Sequence, residues 1–278
     1  MKLKKIPYKT IIKTVILGIF AFLFLLPLFW MLSASLKTPV NVLDYPIEWI
    51  PKDIQWKNYA RIWTNEQMPF TRVYMNSLFV AFFSLLGQLA FASMAAFAFA
   101  KLDFKGKNIV FMALLASMMI PTESTIIPCF MLFKTLGLYN HLSAIILPTW
   151  FNVSTIFMLR QFYYGLPNDL MEAAKIDGAG FFRIWGQVYL PLTKPALVSA
   201  GILGFISTWN AYLPPLIYLV DKKKYTISLG IRFWLVDDAR EYNMMMAAAA
   251  SAIVPMIILV IACQKYFVEG IAMAGMKE

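Results

Sequence analysis

"PNDLMEAAKIDGAGFFRIWGQVYLPLTKP", residues 167–195, is the most water-compatible stretch of a chain otherwise dominated by apolar runs. Asn168 is a good helix N-cap, and Asp169 then falls in a first turn, where the helix dipole favours an acid. Leu170 to Ile176 supports two helical turns, and Gly178 is a candidate C-terminal stop. Ala173 and Ala174 keep one side slim, so another protein's surface could approach the backbone there. After Gly178-Ala179-Gly180, apolar residues recur at 181, 184, 185 and 188 and at 182 and 189. That spacing predicts an amphipathic helix lying in an interface, with Arg183 and Gln187 turned to water. Pro191 and Pro195 are expected to end it. Spacing alone fits an ordinary helical hairpin equally well.

Around this segment the composition is that of a lipid-embedded chain. Hydrophobic residues make up 60% of the 278, charged residues 14%, and mean hydropathy is +0.65. A soluble domain would be about 25% charged. No Lys, Arg, Asp or Glu occurs in residues 14–36, 73–100, 135–159, 195–220 or 242–264, and 108–133 is broken only by Glu123. Each block exceeds the roughly 20 residues that cross the hydrocarbon core as a helix. Lipid cannot satisfy free backbone polar groups, so the blocks are expected to be helices. The expectation is an all-α integral membrane protein with six transmembrane helices.

The first block follows Lys2, Lys4, Lys5, Lys9 and Lys13, a pattern shared with secretory signals. Its apolar run is too long for one, and Trp30-Met31-Leu32 makes a poor cleavage site, so a retained signal-anchor helix is expected. With the N-terminus inside, the inner segments hold 14 basic residues and the outer ones 11. Lys222, Lys223 and Lys224 count against that orientation, whereas the N-terminal cluster and Lys101, Lys105 and Lys107 favour it. N-in/C-in places residues 161–195 in the cytoplasm.

Several function classes fall away. The net charge of +10 is scattered at membrane boundaries, which fits a lipid surface rather than nucleic acid. Cys129 and Cys263 lie inside apolar blocks and read as packing residues. A single histidine, His141, excludes a His-rich metal site and a Ser-His-Asp triad. Gly106-Lys107 lacks the rest of a phosphate-binding loop, so the chain is not expected to hydrolyse ATP itself. Neither a catalytic residue nor a bound cofactor or metal is expected.

The run "EAAKIDGAGFFRIWGQVYLP", Glu172 to Pro191, resembles the EAA signature of ABC-importer permeases, E-A-A-x-x-D-G-A followed by I and L-P. Glu172, Ala173, Ala174, Asp177, Gly178, Ala179, Ile184, Leu190 and Pro191 fit it position by position. Met171 departs from it where many members carry a second acid, and Gly180-Phe181 where a polar residue is common. Residues 119–148, 157–167, 205–219 and the ending "QKYFVEGIAMAGMKE" are similar to carbohydrate importers of the maltose-system type, and in particular to the permease whose short tail reaches into the ATPase. The resemblance implies the type I ABC-importer permease fold in a bacterial cytoplasmic (inner) membrane, multi-pass. It also implies a second, different permease, two ATPase subunits carrying ATP and Mg, and an external sugar-binding protein. Glu172, Ala173, Ala174, Asp177, Gly178 and Ala179 would then form the coupling helix that seats in the ATPase. The implied layout is residues 1–70 as N-terminus, first span and outer loop, 71–263 as transmembrane core including the coupling loop 161–195, and 264–278 as cytoplasmic tail.

Polar groups inside spans are functional candidates. Asn152 beside Trp150 and Phe151, and Asn210 between Trp209 and Tyr212, pair amides with aromatic faces as a sugar pathway requires. Both asparagines are expected near the middle of their spans. Interhelical hydrogen bonding is the alternative for them, and belt packing for most of the aromatics. Glu123 reads either as a pathway group or as one paired to a neighbouring permease, and Gln88 as packing. An ABC permease for a non-sugar solute remains open. An ion-coupled carrier should show inverted repeats and several intramembrane charges. A membrane enzyme should show a membrane-proximal acidic cluster, for which Asp237, Asp238 and Glu241 are the only candidates.

Overall fold

The structure, a computed structural model, describes residues 8–236 and 241–275, with side chains through 235 and from 241 to 264. The N-terminal lysines 2, 4 and 5, the acids Asp237 and Asp238, and residues 276–278 of the expected tail lie outside the described residues. All regular structure among the described residues is helical, as the apolar blocks require. The principal helices are α1 (Tyr8–Ser35), α2 (Lys57–Thr64), α3 (Phe70–Lys101), α4 (Lys107–Ser117), α5 (Thr122–Thr135), α6 (Ser143–Thr149) and α7 (Val153–Tyr164). They continue with α8 (Asp169–Ile176), α9 (Phe181–Leu192), α10 (Lys194–Trp209), α11 (Leu213–Tyr218), α12 (Ile227–Val236) and α13 (Tyr242–Gly275).

Among the described residues, three helices are individually long and apolar enough to cross a membrane: α1, α3 and the Tyr242–Gln264 portion of α13. Two further pairs qualify if each is one bent span: α4 with α5, bent by 99°, and α9 with α10, bent by 80°. The α9–α10 break falls where the amphipathic segment is expected to end, the α4–α5 break divides the block 108–133, and the breaks have local causes. Pro121 lacks an amide hydrogen and has extended ψ before α5, and Pro195 and Pro214 sit in the first turns of α10 and α11, where their missing donors cost nothing. The block 135–159 is divided at Trp150–Asn152 between α6 and α7.

The chain packs as two compact units. One comprises residues up to Phe70 together with Ile231–Ile253, so the packing joins a late segment to the expected N-terminal portion. There Asn58 donates to the carbonyls of Ser35 and Lys37 at 2.8 and 2.9 Å, Asn243 donates to that of Lys37, and Arg61 pairs with Glu241 at 2.8 Å. Most of α1 ahead of Ser33 is exposed along its whole circumference, including Phe24 at 80%, which suits lipid and not water.

The other unit comprises Thr71–Gly230 and the remainder of α13. Its largest core gathers Phe97, Phe99, Ile156, Leu159, Tyr163, Ile184 and Tyr189, which joins α3, α7 and α9. Asn140, at φ 58°, accepts from the amides of Val220 and Asp221, and Asn76 donates to the carbonyls of Lys223 and Tyr225. These long-range bonds fix the loops on that end of the unit.

Candidate functional site

The 167–195 segment forms a short helix seated on this core. α8 runs over Asp169–Ile176, with Asp169 and Glu172 in its first turn, as the dipole argument expects. Asn168 occupies the N-cap position, but its side chain does not cap. Its Oδ1 instead accepts from Lys101 Nζ at 2.7 Å, and the same ammonium donates to the Leu166 carbonyl at 2.7 Å. Asn168 itself has helical φ and ψ, outside the extended conformation of a capping residue, and its bond to Lys101 ties the end of α3 to the start of α8. Arg160 makes a second tie: its guanidinium lies 3.7 Å from the Phe111 ring centroid and donates to Tyr164 Oη at 2.6 Å and the Phe99 carbonyl at 3.3 Å. In the sequence Lys101 and Arg160 are two of the inner basic residues; what they hold depends on neighbours far along the chain.

The helix stop is a Schellman motif. The Ala179 amide donates to the Ala174 carbonyl at 2.9 Å, the Gly178 amide to that of Lys175 at 3.0 Å, and Gly178 has φ +75°. Only glycine takes that conformation without a steric penalty. Leu170, Met171, Ala174 and Ala179 face the core, whereas Glu172, Ala173, Lys175, Ile176, Asp177 and Gly178 are exposed, Ile176 at 87%. The expected set therefore divides: Ala174 and Ala179 anchor α8, and the other four present it outward.

α9 has the expected faces, with Ile184 and Tyr189 fully buried, Phe182 79% exposed, and Arg183 donating to Gln187 at 2.9 Å. It is not a uniform helix: Ile184–Tyr189 widens into a π-helical turn, and it ends at buried Thr193, between Pro191 and Pro195, the two prolines expected to end it. The Thr193 hydroxyl donates to the Tyr189 and Leu190 carbonyls, which supports the 80° bend.

A second feature is a cavity of about 270 Å³ among α3, α6, α7 and α10. Gln88, Thr149, Asn152, Ser154, Thr155, Ser207 and Thr208 supply its polar lining. Gln88 Nε2 donates to Thr155 Oγ1 at 2.7 Å, and Thr155 Oγ1 lies 3.0 Å from Asn152 Oδ1. That oxygen also caps α7 by accepting from the Thr155 amide at 2.9 Å. Asn152 is thus at a helix start exposed by the break in its block, not in the middle of a continuous helix.

Of the six expected pathway residues, only Asn152 lines this cavity. Trp150 is half-buried, fills the notch left by Gly87, where a Cβ would overlap its indole, and donates to the Phe83 carbonyl at 3.0 Å. Trp209 is 2% exposed and stacks on Phe205 at 5.3 Å, so its ring is a core element here. Asn210 ends α10 beside a break, exposed, with Nδ2 donating to the Ile206 carbonyl at 2.9 Å. Tyr212 is 39% exposed, and Glu123 is exposed in the first turn of α5. Gln88, expected to be packing, is 4% exposed yet lines the cavity. No signal in the sequence marks it, because its partner Thr155 lies 67 residues away.

Residues 88–272, which hold both features, match the family described as binding-protein-dependent transport system inner membrane component. The chain belongs to this family. It is 34% identical to the arabinooligosaccharides transport system permease protein AraQ of Bacillus subtilis, over 92% of this chain and 91% of that one. It is 30% identical to the sn-glycerol-3-phosphate transport system permease protein UgpE of Yersinia pestis, over 92% of each. A crystal structure of a bacterial ABC transporter involved in the import of the acidic polysaccharide alginate contains a chain that superposes with a TM-score of 0.83 at 26% identity, covering 96% of this chain and 99% of that one. This member of the family is therefore a membrane-embedded transport permease with the ABC-importer permease fold. A family of this kind works with a partner permease, an ATPase and a binding protein.

Proposed function

We propose that the chain is one of two different permeases in a bacterial carbohydrate importer, with six spans, both termini in the cytoplasm, and α8 as its coupling helix. The sixth span in this reading is α6 with α7, joined through the break that exposes Asn152. Two ATPase subunits supply ATP and Mg, an external binding protein delivers the sugar, and the complex sits in the cytoplasmic membrane. The observation that carries the proposal is the two-faced seating of α8. Its inner face packs into the core that α3, α7 and α9 share and its start is tied to Lys101, while Glu172, Ile176 and Asp177 stand exposed on a glycine-stopped turn. An isoleucine 87% exposed beside two acids suits a groove that is apolar at its floor and basic at its rim. Sugar is favoured over other solutes by the substrates named for AraQ and by the uncharged polar cavity.

Single cysteines test the orientation. Substitutions at Asp53 and Lys223 are expected to react with an impermeant maleimide on intact protoplasts, and one at Lys175 only after the membrane is opened. Labelling of position 175 from outside would overturn the reading.

A further inference from the structure

We infer that the cavity beside α7 is a contact site for an uncharged, hydroxylated solute, and that this subunit disfavours phosphorylated and uronate sugars there. The inference rests on the permease reading above and narrows its substrate class. Named relatives and neighbours span both chemistries: arabinooligosaccharides are neutral, whereas sn-glycerol 3-phosphate and alginate are anionic.

The hydrogen-bond chain fixes what the cavity presents. Gln88 gives Nε2 to Thr155, which leaves Oε1 with no partner among the described residues, although the side chain is nine-tenths buried. Gly204 makes room for it, since a Cβ there would stand 2.8 Å from Gln88 Oε1. Asn152 commits Oδ1 to Thr155, so its Nδ2 is the outward group. The wall therefore offers one oriented acceptor and one oriented donor, flanked by the Ser207 and Thr208 hydroxyls. A sugar hydroxyl both donates and accepts, so vicinal hydroxyls satisfy both amides without a counter-ion. The volume, just below the roughly 300 Å³ at which small-molecule clefts begin, suits one ring at a time.

An anion finds little here. No lining residue is ionisable. The start of α7 is a weakened anion site, because the Thr155 amide is already taken by Asn152 Oδ1 and that oxygen stands as an acceptor at the helix start. Gln88 Oε1 would face the anion's oxygens as a second acceptor, a repulsive contact with no charge to offset it.

The test uses the whole complex, purified with its co-encoded permease, ATPase and binding protein, in proteoliposomes. The labelled solutes are neutral trisaccharides of arabinose, xylose and glucose, sn-glycerol 3-phosphate, and a mannuronate trisaccharide. ATP-dependent uptake of a neutral trisaccharide and of neither anion is expected. Asn152→Asp keeps the helix cap but turns the outward donor into a charged acceptor, and Gln88→Met removes the unpartnered oxygen at similar volume. Each should raise KM for the neutral sugar roughly tenfold, the effect of one lost hydrogen bond, with ATPase assembly and maximal rate retained. Import of an anion by the wild-type complex, or wild-type KM in both variants, overturns the inference and leaves the permease reading standing. Absence of ATP-dependent uptake of every solute refutes the permease reading and the inference with it.

Discussion

Truncating Ile176 to alanine separates docking from folding. The side chain is 87% exposed, so the permease has almost no packing to lose, and exposed substitutions of this kind stay within about 0.5 kcal/mol of neutral. In the proposed complex the same side chain is buried in the ATPase groove. Full burial of an isoleucine contributes about 1.5–3 kcal/mol, and scaling by the 87% still available gives about 1.3–2.6 kcal/mol. At 1.4 kcal/mol per decade, docking should weaken roughly ten- to seventyfold. The assay is binding of the purified ATPase to the permease pair in nanodiscs, alongside ATP hydrolysis stimulated by sugar-loaded binding protein. The permease pair should form normally and melt within a degree or two of wild type. An unchanged ATPase affinity would show that the exposed isoleucine meets lipid or water in the assembly, and the coupling assignment would fail.

Two further substitutions probe the same turn by different physics. Glu172→Lys replaces an exposed acid that has no ion-pair partner among the described residues, so its effect should appear only on docking, as a loss well over tenfold that higher salt partly relieves; equal affinity at low salt would argue against a basic rim. Gly178→Val forces a β-branched residue into φ +75°, at a cost of about 1–3 kcal/mol, and should abolish sugar-stimulated ATP hydrolysis while insertion and permease pairing persist; retained coupling would mean the Schellman stop is dispensable.

The parts of this molecule legible in the sequence are those whose cause is local. Charge-free blocks announce helices, because lipid leaves the backbone no other partner, and the α8 stop follows from Gly178 and its neighbours alone. The run that resembles the EAA signature sits on such a local element, so it can be read from neighbouring residues alone. Joints were less legible. Prolines at 121, 195 and 214 mark breaks, but Pro27, Pro128 and Pro255 lie inside helices that continue, so proline alone does not locate a joint. Side-chain roles fixed at a distance were opaque. Asn168 has helical φ and ψ and gives its oxygen to Lys101 instead of capping, and the Gln88 amide is placed by Thr155 and by the room that Gly204 leaves. Trp209 and Asn210 are neighbours in sequence, yet one is core and the other exposed.

On the proposed reading, α7 is the member that connects the two features. Its 12 residues span about 18 Å, with Asn152 and Thr155 at the cavity end and Arg160, Tyr163 and Tyr164 at the end that carries α8. Leu159 and Tyr163 are fully buried, so between those ends there is close packing and no proline or glycine to bend. The breaks lie outside it, at residues 150–152 on one side and at residues 165–168, between α7 and α8, on the other. A displacement of the seated α8, passed on through the core it shares with α7 and α9, would therefore reach Asn152 as a movement of α7. Because Asn152 Oδ1 and Gln88 Nε2 both depend on Thr155, such a movement would shift α7 against α3 and alter the donor and the acceptor together. A sugar held by both amides would lose both contacts in one step, which ties the grip on the sugar to the state of the docked ATPase.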